Sequence, residues 1–397
     1  MNNKFSIQLL SQIGFLLGLL LTSNSSTTTW AATAIDIDKE TDGKPLIPIS
    51  LSGFTGEPDQ VLRFDLEVAG FKFVAPEQAQ FNVTGSNNPN VQGQVTDRIS
   101  KASLLSVGYT TASPRTQAHA LADAIVLAIT KTKGIAQTKI AFKIDFGKTS
   151  EIYVADYDGH NPHAATEDGS IVAAPCWVPG RQMLCYTSYK LGNPDIYSQD
   201  LPSGTRKIVA RYSGLNTSAA VSPDGTRVAM ILSKGGSPDV YVANLDGSNL
   251  KQLTRTREDE SSPCWSPDGK MICFVSRVNG SRALCRVGAD GGEIRRLRAD
   301  GVSNPSEPDW SPDGKTIVFT AQMGGFEICT IPADGGTASL LVSGEDPSWA
   351  ANSRTVIFTK RSKNSRRSLS LLDVPTKHVK DISTLVSGSC SQPSWAK

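Results

Sequence analysis

The sequence predicts a small α/β N-terminal domain followed by an all-β six-bladed propeller, with the C-terminal strand closing blade one. A repeat is the first sign. Pro175-Cys176-Trp177, Pro263-Cys264-Trp265, Pro308-Asp309-Trp310, Pro347-Ser348-Trp349 and Pro393-Ser394-Trp395 share one pattern, and Ala219-Ala220-Val221 fills the same slot with Val221 in place of Trp. Successive motifs are spaced by 44, 44, 45, 39 and 46 residues. A period of this size, with four short strands per unit, marks propeller blades. The second sign is an offset. The last motif has no strands after it, and the first unit (Ile140-Ala141-Phe142, then Glu151-Ile152-Tyr153-Val154-Ala155) has no motif before it. Each half supplies what the other lacks, so five complete units and one composite make six blades. The third sign is helical periodicity ahead of the repeats.

Taken in order, Lys4 and the apolar run Ile13–Leu21 precede the small-x-small site Ala32-Thr33-Ala34. The run is too short to span a bilayer, so residues 1–34 read as a signal peptide, with a retained anchor as the alternative. No other segment approaches the length of a membrane span. Residues 35–134 then read as the α/β domain. Ile35-Asp36-Ile37-Asp38 alternates, and Leu46–Leu51 is an apolar strand. Glu57-Pro58-Asp59 opens a helix with acidic residues in its first turn; Val61, Leu62, Phe64 and Leu66 form its apolar side, and Gly70 stops it. Phe71–Val74, Val91–Val95 and Ser103–Tyr109 read as strands. From Pro114 to Lys131 a second helix has Ser113 as N-cap, with Ala118, Leu121, Ala122, Ile125 and Ile129 on one face, and Gly134 is expected to end it.

Residues 138–397 hold the blades. In Pro263–Phe274 two strands flank Ser266-Pro267-Asp268-Gly269, where Pro fixes φ and Asp-Gly permits the reversal. The second and sixth repeats lack that turn sequence, reading Val178-Pro179-Gly180 and Ala350-Ala351-Asn352-Ser353. The Trp residues are expected between neighbouring blades, and no blade buries its faces alone.

Composition excludes more than it assigns. A formal net charge of +2 over 397 residues gives no field for nucleic acid or an anionic membrane surface. No nucleophile elbow occurs, and no hydrolase domain follows the ring. Three of the four His fall in turns or outer strands. His119 and Asp123 stand one helical turn apart and suit a side-chain pair with a packing or docking role. The Asp-Gly turns lack the alternating carboxylates of a calcium loop. The basic run Lys360, Arg361, Lys363, Arg366 and Arg367 reads as a solvated hairpin loop. All seven Cys lie in the repeats. Cys176/Cys185 and Cys264/Cys273 take equivalent places across two hairpins, and the choice between buried thiols and cross-strand disulfides stays open. No ligand spacing supports zinc. What remains is the mouth of the channel, ringed by the loops that lead into the innermost strands. It is expected to be polar with an acidic sector: Asp259, Glu260, Glu307, Glu345 and Asp346. Such a rim suits a protein loop or peptide.

The whole pattern resembles the TolB family of periplasmic propellers, part of the Tol–Pal system of Gram-negative bacteria. The repeats carry part of the likeness. Ile35-Asp36-Ile37 with Gly43–Ile49, Ala118–Ile125 and Gly134–Phe142 carry the rest. The resemblance implies a non-catalytic, cofactor-free, monomeric scaffold in the periplasm that supports outer-membrane integrity and envelope constriction in cell division. It further implies the lipoprotein Pal as partner over the channel mouth, TolA as partner of the N-terminal segment, and other envelope proteins. By carry-over the Pal-facing positions are Leu215, Asn216, Ser218 and Ser261, joined by the acidic Glu260, Glu307 and Asp346. The TolA-facing positions are Ile35, Asp36, Ile37 and Asp38. Leu215 departs from the family, which more usually has a polar residue there, and the Phe81–Thr110 stretch looks shorter than usual. An exported propeller hydrolase or lyase with its site in the channel is the competing reading.

Overall fold

Residues 43–110, 113–278, 280–384 and 386–397 are described by the computed structural model of the chain. The expected signal peptide and the segment Ile35–Asp38 lie outside them. Strand β1 (Ile47–Ser52) leads into α1 (Gly56–Val68), then β2 (Phe71–Phe73), β3 (Phe81–Ser86), β4 (Gln92–Asp97), β5 (Ser103–Gly108) and α2 (Pro114–Thr130). The sheet runs β2-β1-β3-β4-β5, with β1 parallel to both neighbours and the rest antiparallel. Strand β3 is absent from the sequence expectation. Its alternation is short and runs into Gly85-Ser86, yet Phe81 and Val83 are buried and the Ser50 hydroxyl donates to Asn82 at 2.6 Å.

Both helices follow the sequence logic. In α1, Val61, Leu62 and Leu66 are buried, and Gly70 follows the helix with φ of +88°. Ser113 caps α2 by accepting from the Thr116 N–H at 3.2 Å. One detail differs at the far end. Lys131, in the left-handed region at φ 63°, closes α2 instead of Gly134. Gly134 is needed for a close approach, because a Cβ there would sit 2.0 Å from Asp123 Oδ1. That carboxylate accepts from the Ala136 N–H at 2.8 Å and from Gln137 Nε2 at 3.0 Å, tying the helix to the segment entering the propeller. Gly134→Ala should therefore cost about 1–3 kcal/mol in chemical denaturation.

Six four-stranded sheets follow. Blade one pairs the terminal strand Ser389–Trp395 with Lys139–Asp145, then Ser150–Asp156 and His163–Ala164. Blades two to six begin with the innermost strands Val172–Trp177, Asn216–Val221, Glu260–Trp265, Pro305–Trp310 and Glu345–Trp349. The Trp residues pack between neighbours as expected: Trp177 lies with Ala141, Ile152 and Val154 of blade one, and Trp349 with Val318 and Ile328 of blade five. In three blades the turn after the Trp or its counterpart is held by its own side chains. Ser266 Oγ donates to Asp268 at 2.6 Å, which in turn accepts from the Lys270 N–H at 3.1 Å; Ser222/Asp224 and Ser311/Asp313 repeat the arrangement. These bonds hold Asp224 and Asp268 below the usual carboxylate range. The blades without the sequence keep the geometry. Gly180 takes φ 69° in blade two, and in blade six Asn352 Oδ1 replaces Asp by accepting from the Arg354 and Thr355 N–H groups.

The α/β part meets blades one and six through a buried polar cluster. Asp65 of α1 accepts the Tyr157 hydroxyl, and its other oxygen lies 2.8 Å from His119 Nδ1. Arg115 pairs with Asp158, and at the half-exposed margin of the cluster Lys380 of blade six pairs with Glu67. His119 thus pairs with Asp65 on the facing helix, not with Asp123, whose carboxylate is turned to the 134–137 segment.

Candidate functional site: the channel mouth

Each innermost strand carries a register shift at one repeated place. Three residues before each Trp, or before Val221, stand Ala174, Ser218, Ser262, Glu307, Asp346 and Gln392, all with φ between 50° and 56°. Non-glycine residues are disfavoured there by about 1–2 kcal/mol, so a six-fold ring of them must be over-determined by its surroundings. Part of the holding is visible. Glu307 Oε2 accepts from the Asp346 N–H at 3.1 Å, Asp346 Oδ2 from the Gln392 N–H at 3.1 Å, and Gln392 Oε1 from the Ala174 N–H at 2.9 Å. Side chain to amide, the bonds pass from blade five through six and one to two. The ring lines a cavity of about 250 Å³ at the mouth. Burial, and then the neighbouring Glu307, push Asp346 above the usual carboxylate range.

The residues singled out in the sequence separate here into two groups. Ser218, Glu307 and Asp346 line the mouth, and Ser261 is half-buried beside Ser262. Leu215 is half-buried and packs against the core between blades three and four. Asn216 and Glu260 are buried and face inward. Asn216 closes its own loop, accepting from the Tyr212 N–H at 2.9 Å and donating to the Pro194 carbonyl at 3.0 Å. Glu260 accepts from Thr256 at 2.8 Å and Ser276 at 2.9 Å. Glu345 is also buried, held by Arg361 and Arg367 at 2.9 Å each. The acidic sector is therefore narrower than its sequence suggests. Two arginines of the hairpin expected to be merely solvated neutralise one of its members.

Sequence reasoning misses an apolar rim. Among the described residues, the exposed hydrophobic side chains Phe146, Ile171, Leu191, Met323 and Phe326 all fall in or beside loops at this end of the blades. Their signal was present as isolated hydrophobic residues in loops, but nothing linear shows that blades one, two and five bring them to one face. At the opposite end, Trp177, Trp265, Trp310 and Trp395 border a second cavity of about 600 Å³, with Lys397 and Asp309 paired at 2.7 Å on its wall. Among the described residues, no group of three or more His, Cys, Asp or Glu is placed to hold a metal ion, and no helix is long and apolar enough to cross a membrane.

A family model described as the TolB beta propeller domain matches residues 126–397. The chain is 30% identical over 159 residues to the Tol-Pal system protein TolB of Francisella tularensis subsp. tularensis, covering 38% of this chain and 37% of the relative. It is 34% identical over 131 residues to the protein of the same name from Bordetella pertussis, covering 32% and 30%. The matches thus span about a third of these relatives. Among solved structures, TolB from Acinetobacter baumannii matches with a TM-score of 0.81 at 24% identity, covering 89% of this chain and 97% of that one. A putative TolB from Agrobacterium tumefaciens gives 0.51 at 19% identity, covering 64% and 91%. At these identities the structural likeness speaks to fold.

Proposed function

Because the chain belongs to the TolB β-propeller family, we propose that it is a non-catalytic scaffold of the Tol–Pal cell-envelope system in the periplasm, with the channel mouth as its docking face. The observation that carries this reading is the composition of that face. Exposed Phe146, Ile171 and Leu191 of blades one and two lie at the same end of the ring as Glu307 and Asp346 of blades five and six, and blade six adjoins blade one through the Asp346–Gln392 bond. An apolar sector beside a few fixed polar groups suits a folded protein partner. The partner on this reading is Pal, and TolA binds the segment around Ile35–Asp38. Contacts to Pal fall on Ser218, Ser261, Glu307 and Asp346, while Asn216 and Glu260 hold the loops that present them.

Titration calorimetry tests the mouth. Ser218→Arg or Ser261→Arg should weaken Pal binding by about 1–3 kcal/mol with an unchanged circular dichroism spectrum; equal affinity for both variants would remove this rim from consideration. Deleting residues 35–42 separates the two partners. It should abolish TolA binding and leave Pal binding intact, and loss of both, or of neither, counts against the assignment of that segment.

A further inference from the structure

We propose that two cysteine pairs, Cys176–Cys185 and Cys264–Cys273, are dithiol–disulfide sites reached from the Trp-bordered end of the channel. The register carries the argument. Cys176 is the direct cross-strand partner of Cys185, and Cys264 of Cys273, on antiparallel strands. Residues opposite one another in such a ladder have Cα atoms about 4.5–5.5 Å apart, within the span of about 4.4–6.8 Å that a disulfide bridges. Each pair shares one face: both members of the second lie in the core between blades four and five, and Cys176 packs against the cluster holding Cys185. The neighbouring Cys273 thiol, together with burial, pushes the Cys264 thiol well above its ordinary value. In the other blades the same two positions are filled by Ala220–Ala229, Asp309–Val318, Ser348–Ile357 and Ser394–Ala141. The fold therefore needs no sulfur there.

Accessibility divides each pair into an outer and an inner thiol. Cys176 and Cys264 border the cavity of about 600 Å³, while Cys185 and Cys273 are fully buried behind them. A small disulfide entering the cavity meets the outer sulfur first. The outer thiolate attacks it, forming a mixed disulfide and releasing one thiol of the oxidant. The inner thiolate then attacks the outer Sγ, closing the protein disulfide and releasing the second. The two protein thiols lose two electrons and two protons, and one oxidant disulfide becomes two thiols. Burial holds Cys176 and Cys185 above their ordinary value, and the neighbouring thiol with burial does the same for Cys264, so exchange should quicken as pH rises. The other three cysteines are internal controls, since Cys285, Cys329 and Cys390 lie opposite Phe274, Phe319 and Ile144.

The test uses the purified chain, equilibrated folded in mixtures of reduced and oxidised glutathione, then denatured in acid, alkylated and mapped by mass spectrometry. The expected result is loss of four reactive thiols with bridges 176–185 and 264–273, while Cys285, Cys329 and Cys390 stay alkylated. The variants Cys185→Ala and Cys273→Ala, which introduce the residue blade three already carries, should instead trap glutathione on Cys176 and Cys264. Seven alkylated thiols at every ratio, bridges joining other cysteines, or glutathione accumulating on Cys176 and Cys264 of the unsubstituted chain would each overturn the proposal.

Discussion

Removing Gln392–Lys397 should unfold the propeller at conditions where the full chain is stable, an effect out of proportion to six residues. The segment supplies the second half of the innermost strand of blade one, where Ser394 and Trp395 pair with Ala141 and Ile140. It also carries Trp395, which is 2% exposed and packs against Tyr157 with the rings tilted and their centroids 6.1 Å apart. The indole N–H donates to Thr138 Oγ1 at 2.8 Å, and the Lys397 ammonium pairs with Asp309 of blade five at 2.7 Å. Loss of a buried Trp alone costs about 3–5 kcal/mol. Opening the ring adds the unpaired edges of its neighbours, because a blade cannot bury both faces without the next. Thermal melting of the truncated chain and of Trp395→Ala provides the check. The point variant should melt lower but cooperatively, and the truncation lower still. An unchanged melting temperature for the truncation would contradict the composite blade.

That closure was legible because it is a matter of counting: a motif without strands at one end and strands without a motif at the other. The blade turns were legible for a similar reason, since Ser-Pro-Asp-Gly names its own hydrogen bonds. Blades two and six show the limit, where Gly180 and Asn352 reach the same geometry through other residues. The mouth was legible only as a position. Its loops could be placed from strand order, but the inward turn of Asn216 and Glu260 depends on partners such as Pro194 and Ser276, far along the chain or across a ladder. Likewise the i, i+4 spacing of His119 and Asp123 permitted a pair that tertiary packing replaced with Asp65. Local periodicity specifies which face is buried, not which buried polar groups meet there.

The Asp65–His119–Tyr157 cluster makes the second large expectation one of pH. Burial pushes Asp65 up to about 6 from 3.8, against the opposing pull of its bonds to His119 and Tyr157. Burial also disfavours the charged His119 ring, but the Asp65 carboxylate outweighs it and holds the imidazole above 6.5. Both folded-state values lie above the unfolded ones, so the folded chain holds more protons than the unfolded chain across this range. Stability from the two groups is therefore fully present below the unfolded values and is lost as pH rises through the folded ones. Glu260 and Asp346, raised chiefly by burial, act with the same sign. The carboxylates held low by turn hydrogen bonds, Asp224 and Asp268 among them, matter only below the ordinary carboxylate range. Stability should thus fall from pH 5 to pH 8, each group contributing up to about 1.4 kcal/mol per pH unit where it titrates. Asp65→Asn should flatten the profile most between pH 5 and 6, because the amide can still accept the Tyr157 hydroxyl but has no proton to lose. Asp65→Ala should be worse at every pH, by about 1–3 kcal/mol, since it leaves the buried Tyr157 hydroxyl and His119 without their acceptor. Denaturant midpoints at pH 5, 6, 7 and 8 decide the matter: a parent profile that rises with pH, or an Asp65→Asn profile parallel to it, would show that Asp65 is not the group that titrates.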